Sequence, residues 1–340
     1  MIGRRPLGDS GIEISALAFG AMTFSPQRQA IARVDETEAH RMVHRVRDAG
    51  VNLIDTADAY DEGRSEEILG RAIRGRRDDV VIATKCGFGA VGRGPGGLAY
   101  DNVVAACEAS LRRLDVDVID LYQLHRPDRA TPVEDTLRAL DELVAAGKVR
   151  AVGNSNFRAW ETAGAVAHQR ALGRPAFCSA QVYYSLVGRD VEHEILPQCR
   201  ADGLAVLVYS PLAGGYLSGK YRGSTEVADG GEGRRAGFEF PPVDLDAGAR
   251  VLAVLREVAA AHDASPAQVA LAWTLARPGV TSVLFGANTH EQLEQNLAAA
   301  TLVLADEETA RLDAASALPQ IYPEWWDPAM RIQGPLGESN

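Results

Sequence analysis

Four residues stand at or just beyond the ends of three short, β-branched and apolar runs: Asp55 closes V-N-L-I-D and Tyr60 follows it, Lys85 closes V-V-I-A-T-K, and His125 closes I-D-L-Y-Q-L-H. Together they can perform proton chemistry that none performs alone. Reducing a carbonyl requires a hydride on carbon and a proton on the developing alkoxide. A tyrosine near its ordinary pKa of ~10 is a weak acid, but a nearby ammonium stabilises the phenolate and lowers that value. Lys85 is expected to supply the ammonium and Asp55 to hold it in place, while His125 orients the carbonyl oxygen and shares in proton delivery. A lone Tyr, Lys or His is most often structural; four from three strand ends are a much stronger signal.

The basic residues add a hint. Of 35 lysines and arginines only Lys85, Lys148 and Lys220 are lysines. Arginine has displaced lysine almost everywhere, and a guanidinium cannot mimic a compact ammonium whose pKa can shift. Lys148 reads as a chance survivor.

These groups need elements to position them. Strands are expected over 15–20, 51–55, 79–84, 117–124, 148–154, 177–182, 204–209 and 281–285. Between them lie helical patterns over 36–49, 65–74, 101–113, 133–146, 158–171, 190–201, 248–262, 266–276 and 290–300. Ser65, Asp190 and Ser265 (with Pro266 after it) read as helix starts, and Gly50, Gly75, Gly147, Gly173 and Gly203 as stops. Alternation of this kind implies parallel strands with helical crossovers. Eight strands over about 300 residues fit a closed barrel better than an open sheet of two domains. The turn after the first strand, G-A-M-T, lacks the G-x-G-x-x-G of a doubly wound nucleotide fold. The expected fold is therefore α/β: one (β/α)8 TIM barrel spanning 1–340, with an N-terminal hairpin plug around Gly8–Gly11 and extra C-terminal helices. In such a barrel the active site lies at the C-terminal strand ends. The remaining ends carry Asn154-Ser155-Asn156, Gln181 and Tyr209-Ser210.

Bulk properties exclude other classes. A net charge of −11 argues against a nucleic-acid or anionic-membrane partner. No apolar run approaches the roughly 20 residues of a membrane span, and the N-terminus lacks a signal-peptide pattern, so a cytoplasmic location is expected. Cys86, Cys107, Cys178 and Cys199 are scattered, which suits buried thiols rather than disulfides or zinc. His40 and His44 could face one metal but lack a third ligand, and a solvated helix face is the simpler reading; no metal is expected. The loops 24–34, 87–99 and 210–245 and the tail 318–340 are too long for plain connections and are expected to shape the substrate mouth.

The motifs carry a resemblance. D-T-A-D-A-Y with G-R-S-E-E-I-L-G (55–70), A-T-K (83–85), L-H-R-P-D (124–128), G-K-V-R-A-V-G-N-S-N (147–156), Y-S-P-L-A-G-G with S-G-K-Y (209–221) and G-A-N-T-H-E-Q-L-E-Q-N (286–296) together resemble an aldo-keto reductase over nearly the whole chain. The resemblance implies a (β/α)8 barrel whose tetrad falls on Asp55, Tyr60, Lys85 and His125. It implies that Ser155, Asn156 and Gln181 hold a nicotinamide carboxamide and that Tyr209 stacks on the ring. Ser210, Leu212 and Gly214 would hold the pyrophosphate, Lys220 would meet a phosphate, and Gly286, Asn288, Gln292, Gln295 and Asn296 would bind the adenosine end. Gly286, Ala287 and Gln292 stand where a Lys/Ser…Arg clamp on the 2′-phosphate is often found. The pattern instead resembles the branch with the potassium-channel β-subunits and many bacterial reductases, which commonly binds NADPH; NADPH is favoured over NADH.

The first expectation is thus an NADPH-dependent reductase of a small-molecule carbonyl, of undetermined oligomeric state. A second is a cofactor-sensing binding module with slow turnover. A third narrows the substrate to a nucleotide-linked keto-sugar, with Arg93, Arg126 or Arg222 meeting its phosphate. Trp160 and Trp273 read as packing residues, and Trp325-Trp326 as lining a pocket, an interface or the barrel wall.

Overall fold

A computed structural model describes residues 2–25, 33–88, 97–228, 230 and 233–326. Arg93 and parts of the loops 24–34, 87–99 and 210–245 lie outside these residues, as do 327–340. The chain opens with an antiparallel hairpin, β1 (Arg4–Pro6) on β2 (Glu13–Ser15). Strands and helices then alternate: β3 (Leu17–Gly20), α1 (Glu36–Asp48), β4 (Leu53–Asp55), α2 (Arg64–Ala72), β5 (Val81–Cys86), α3 (Tyr100–Leu114), β6 (Ile119–Leu124), α4 (Val133–Ala145) and β7 (Val149–Ser155). They continue with α5 (Ala159–Ala171), β8 (Ser179–Tyr183), α6 (Ile195–Ala201), β9 (Ala205–Tyr209), a two-stranded hairpin β10 (Tyr221–Arg222) and β11 (Glu226–Val227), and a short α7 (Arg234–Gly237). The series ends with α8 (Leu245–Ala261), α9 (Pro266–Leu275), β12 (Val280–Phe285), α10 (His290–Ala298) and α11 (Asp306–Ala315). Strands β3 to β9 pair in parallel in chain order, and β12 closes the barrel between β9 and β3. This is the (β/α)8 TIM barrel with its N-terminal hairpin.

The pleat explains why one end of the barrel is dry and the other reactive. Alternate residues of a strand share a face. Leu53, Ala83, Leu121, Ala151 and Leu207 form a cluster with Leu7, Ile12 and Ile14 of the hairpin, which covers the N-terminal end. Fully burying such a side chain is worth roughly 1.5–3 kcal/mol. Two residues further along the same strands four of the five positions become polar, Asp55, Lys85, Gln123 and Tyr209, and the fifth is Gly153. The outer faces pack against the helices in a second, larger cluster that includes Ile54, Ile82, Tyr122 and Trp273.

Several local expectations hold for stated reasons. Ser265 and Gln268 form a reciprocal capping box with Pro266 in the first turn of α9. The stops Gly50, Gly75, Gly147, Gly173 and Gly203 all take positive φ. All four cysteines are buried and free.

Others need correction. Ser15 belongs to the hairpin, not to the first barrel strand. Ser65 is not a cap: α2 starts at Arg64 behind Gly63, and the buried Ser65 hydroxyl donates to the Ala21 carbonyl at 2.8 Å. The helix expected over 190–201 breaks into a 3-10 turn, Asp190–Glu192, and α6, because Pro197 fits a first turn but not a helix interior. Helix α11, with three acidic residues in its first turn, is one of the extra C-terminal helices expected, although none of the helical patterns covers its range. Trp273 is fully buried, but Trp160 is 66% exposed and packs nothing into the core. The segment 210–245 is not structureless: β10, β11 and α7 are tied down by the buried Arg235, which donates to the carbonyls of Ala213 (3.1 Å), Pro241 (2.8 Å) and Ser224 (2.8 Å). Trp325 and Trp326 stack edge to face yet stay 52% and 74% exposed, so neither is buried in a pocket or on the barrel wall by the described residues.

Candidate active site

Register brings the four polar residues to one place. Lys85 of β5 lies opposite Gln123 of β6, and Asp55 of β4 opposite Ala83. Lys85 Nζ donates to Asp55 Oδ1 at 2.5 Å, to the Thr56 carbonyl at 2.9 Å and to the Tyr60 hydroxyl at 3.3 Å. The second oxygen of Asp55 accepts from Gln181 Nε2 at 2.8 Å and from Gln123 Nε2 at 3.2 Å. His125, one residue past β6, sets its ring at 85° to the Tyr60 ring with centroids 5.9 Å apart. Phe88 meets His125 edge to face at 5.5 Å, and Arg126 stacks on Phe88 at 4.5 Å.

Tyr60 reaches Lys85 through an unusual turn. Asp61 and Glu62 both take left-handed φ (47° and 56°), and Gly63 follows at 91°. The positive φ favours glycine at 63, and a Cβ there would also sit 2.6 Å from Arg113 Cδ, so the Arg113 side chain would have to shift.

Electrostatics assign protonation states. Burial would lower the Lys85 ammonium, but Asp55 first and then Tyr60 outweigh it, and the net shift is upward. Burial pushes the Tyr60 phenol up, and the Lys85 charge opposes this without reversing it. This corrects the expectation of a lowered tyrosine: desolvation of the phenolate exceeds the help from a lysine already paired with Asp55. Burial, then the charges of Lys85 and Arg126, drive His125 down to about 3, so its imidazole is neutral around pH 7. Arg234 of α7 adds a guanidinium within electrostatic reach of Tyr60, and its own Nε is buried without a hydrogen-bond partner among the described residues.

The residues expected to meet a cofactor lie along the same rim. Ser155 ends β7 opposite Gln181. Asn156, at φ 63°, donates to the His125 carbonyl and to Ser155 Oγ, both at 3.0 Å, and accepts from the Tyr209 hydroxyl at 2.8 Å. Beyond β9, Ser210, Ala213, Gly214 and Gly215 all have positive φ. A Cβ on Gly214 would lie 2.4 Å from the Phe240 carbonyl oxygen, so this turn demands glycine. Leu212 precedes that turn and is partly buried, and Lys220 lies over the Tyr221 ring, its ammonium lowered by burial and by Arg33. At the far end Asn296 Nδ2 donates to the Gly286 carbonyl at 3.1 Å, and Gln292 Oε1 accepts from the Asn288 N–H at 2.9 Å. Gln295 points to Glu291 on the exposed face of α10. Asn288 also lines a groove with Asp35, Thr37, Glu38, Arg41, Thr289 and His290. Its Oδ1 is buried with no partner among the described residues. The orphaned Asn288 amide oxygen at the far end, a flat phenol at a strand end and a glycine turn fit a nicotinamide dinucleotide.

Sequence reasoning missed Gln123, which shares Asp55 with Gln181; its signal was a glutamine inside an otherwise apolar strand run. It also missed Asp58, Glu66 and Arg234. Arg222 is exposed on β10, away from any described contact of the tetrad. His40 and His44 lie on α1, His40 beside Glu36 at 3.7 Å, and the described residues contain no cluster of three metal-ligating side chains. No described helix is long and apolar enough to cross a membrane.

A barrel with this rim defines a class, and the comparisons name it. The model of the aldo/keto reductase family matches residues 16–317, and the chain belongs to that family. It is 37% identical over 308 residues to a probable voltage-gated potassium channel subunit beta of Oryza sativa, covering 87% of this chain and 90% of the relative. A protein of the same description from Arabidopsis thaliana is 35% identical over 306 residues, with the same coverage. Versiconal hemiacetal acetate reductase of Aspergillus parasiticus is 32% identical over 343 residues, covering 93% and 98%. Family membership and the reductase relative support an oxidoreductase that acts on carbonyls, in a family that uses NAD(P)H.

Proposed function

We propose that this chain reduces a small-molecule aldehyde or ketone to the alcohol, with NADPH as hydride source and Tyr60 as proton donor. The observation that carries the reading is the Lys85 ammonium, shared between Asp55 at 2.5 Å and the Tyr60 hydroxyl at 3.3 Å. When bound, the cofactor supplies the hydride; everything else falls to the chain.

Burial keeps the Tyr60 phenol protonated near neutral pH, which is the form that can donate. As the proton leaves, negative charge grows on an oxygen already 3.3 Å from an ammonium. That charge develops in a water-poor site, where a preset cation acts strongly. Asp55 and its two glutamine donors hold Lys85 so that no reorganisation is needed at that moment. His125, neutral and edge-on to Tyr60, can hydrogen-bond the carbonyl oxygen without competing for the proton. Ser155, Asn156, Gln181 and Tyr209 are the proposed nicotinamide ligands. Ser210, Leu212, Gly214 and Lys220 are those of the pyrophosphate, and Gly286, Asn288, Gln292, Gln295 and Asn296 those of the adenosine end. NADPH is proposed over NADH because Arg41, which lines the groove beside Asn288 and lies 3.7 Å from Glu38, can offer its guanidinium to a 2′-phosphate.

Fluorescence titration with NADPH and NADH, followed by reduction of a reactive nitrobenzaldehyde, tests this. Tyr60→Phe should bind cofactor as the wild type does and lose about 100-fold or more in turnover. Normal turnover by Tyr60→Phe would remove the proposed acid. A second reading is favoured by the rice and Arabidopsis relatives, whose descriptions are of channel subunits: a cofactor-sensing module. Tight binding by the wild type without turnover of any aldehyde would support it.

A further inference from the structure

Beneath the Tyr60–Lys85 pair the described residues bury one carboxylate more than they neutralise. Asp55, Asp58 and Glu66 are 3%, 4% and 0% exposed. Among the described residues, two cations reach them. Lys85 takes Asp55, and Arg113 takes Glu66 at 2.6 Å while its remaining contact goes to Ser110 at 3.2 Å. Glu66 accepts from the Thr84 hydroxyl with its other oxygen at 2.5 Å, and Asp55 accepts from Gln181 and Gln123. Asp58 is left over: neither Oδ1 nor Oδ2 has a hydrogen-bond partner among the described residues. A buried polar atom is nearly always satisfied, and an unpaired buried carboxylate is held most easily as the neutral acid.

Its position makes this consequential. The Asp58 N–H donates to the Lys85 carbonyl at 3.2 Å, while Lys85 Nζ donates back to the Thr56 carbonyl, so Asp58 lies in the turn that joins Asp55 to Tyr60. The charged and titratable groups facing it come from four elements: Lys85 and Cys86 of β5, Glu66 of α2, Arg113 of α3 and Tyr122 of β6. Burial pushes the Cys86 thiol and the Tyr122 phenol up, so both stay neutral and cannot absorb a change on Asp58.

We propose that Asp58 is a positioning residue that acts through Lys85. With its proton on, the buried charges cancel and Lys85 is free to stabilise the Tyr60 phenolate. With its proton lost to solvent, the added negative charge opposes that phenolate and makes Tyr60 a poorer acid. Burial and then Glu66 push the Asp58 carboxyl up to about 7, partly opposed by Arg113, by the neighbouring Ala59 backbone N–H, which approaches the carboxyl without meeting hydrogen-bond geometry, and by Lys85, which places the change in the working range. The inference rests on the reading of Tyr60 as proton donor.

The test is the pH profile of kcat for nitrobenzaldehyde reduction at saturating NADPH, from about pH 5.5 to 9, in wild type and Asp58→Asn. The wild type should fall roughly fivefold through an inflection near 7. Asp58→Asn should lack that inflection, keep turnover within about threefold of wild type at the acid end, and exceed wild type at the alkaline end, with KM little changed. An inflection that persists in folded Asp58→Asn, or a wild type flat over this range, overturns the proposal while leaving the tyrosine reading intact. A wild type that turns over no aldehyde removes both. If Asp58→Asn does not fold, infrared titration of the wild type decides. The carboxylic-acid C=O band of a buried acid should disappear through the same range, and its absence at the acid end overturns the proposal.

Discussion

Asp55 shows how much of the site is held by groups that never meet a substrate. Its two oxygens divide their work, one on Lys85 and the other on a pair of glutamine amides from β6 and β8. Gln123 is the weaker donor at 3.2 Å and is wholly buried, so replacing it leaves Asp55 with one amide rather than none. Gln123→Leu should therefore lower kcat by about three- to tenfold while cofactor affinity stays within about twofold, since the amide orients the Asp55–Lys85 pair. Steady-state kinetics with a parallel NADPH titration separates the two. A loss as large as that of Tyr60→Phe would mean that Gln123 touches the reacting groups directly. The tetrad itself could be read from strand ends, because residue type and position coincide there. Gln123 and Asp58 could not, since their roles follow from who is left without a partner once the neighbouring strands are in register.

At the scale of elements, the turn 60–63 and the loop after β9 carry the strain that positions the rim. Gly63→Ala meets both a positive φ of 91° and the Arg113 side chain, and Arg113 is the partner of the buried Glu66. The substitution should destabilise the fold by roughly 1–3 kcal/mol and displace Tyr60, lowering kcat more than cofactor affinity. Urea unfolding with kinetics checks this, and an unchanged midpoint would show that the turn relaxes freely. The same turn marks where reading the sequence stops. Eight strands were legible to within a few residues because apolar runs and glycine stops recur with the period of a βα unit. Ser65 resembled a cap, since Ser followed by two glutamates is a start signal. It faces Ala21 instead because Gly63 lets α2 begin one residue earlier. Tyr60 was expected to be acidified, because proximity to a lysine was visible in the motifs and the depth of burial was not. Loop 210–245 read only as too long for a plain connection, because the bonds from Arg235 to the carbonyls of Ala213, Ser224 and Pro241 leave no mark on the pattern of side chains.

For the whole molecule, the excess buried carboxylate has a thermodynamic signature separate from catalysis. Unfolded, Asp58 would titrate near its ordinary value of 3.8; folded, burial and Glu66 push it up to about 7. Between these values the folded chain keeps a proton that the unfolded chain has released. The unfolded state therefore binds fewer protons, and stability falls as pH rises. The contribution is fully present below about pH 4, is lost progressively up to about pH 7, and amounts to about 4 kcal/mol for a shift of this size. Asp58→Asn cannot titrate there, while every other group is shared, so the difference between the two proteins isolates this one residue. Denaturant unfolding at about pH 5, 6, 7 and 8 should show the wild type losing stability relative to Asp58→Asn at each step to neutrality, then running parallel to it. The slope of that difference is the readout, since an asparagine amide in the same buried place has a constant cost of its own. Two curves parallel from the acid end onward would mean that Asp58 is ionised throughout, and the charge count beneath Tyr60 would then have to be balanced by a donor other than Lys85 and Arg113.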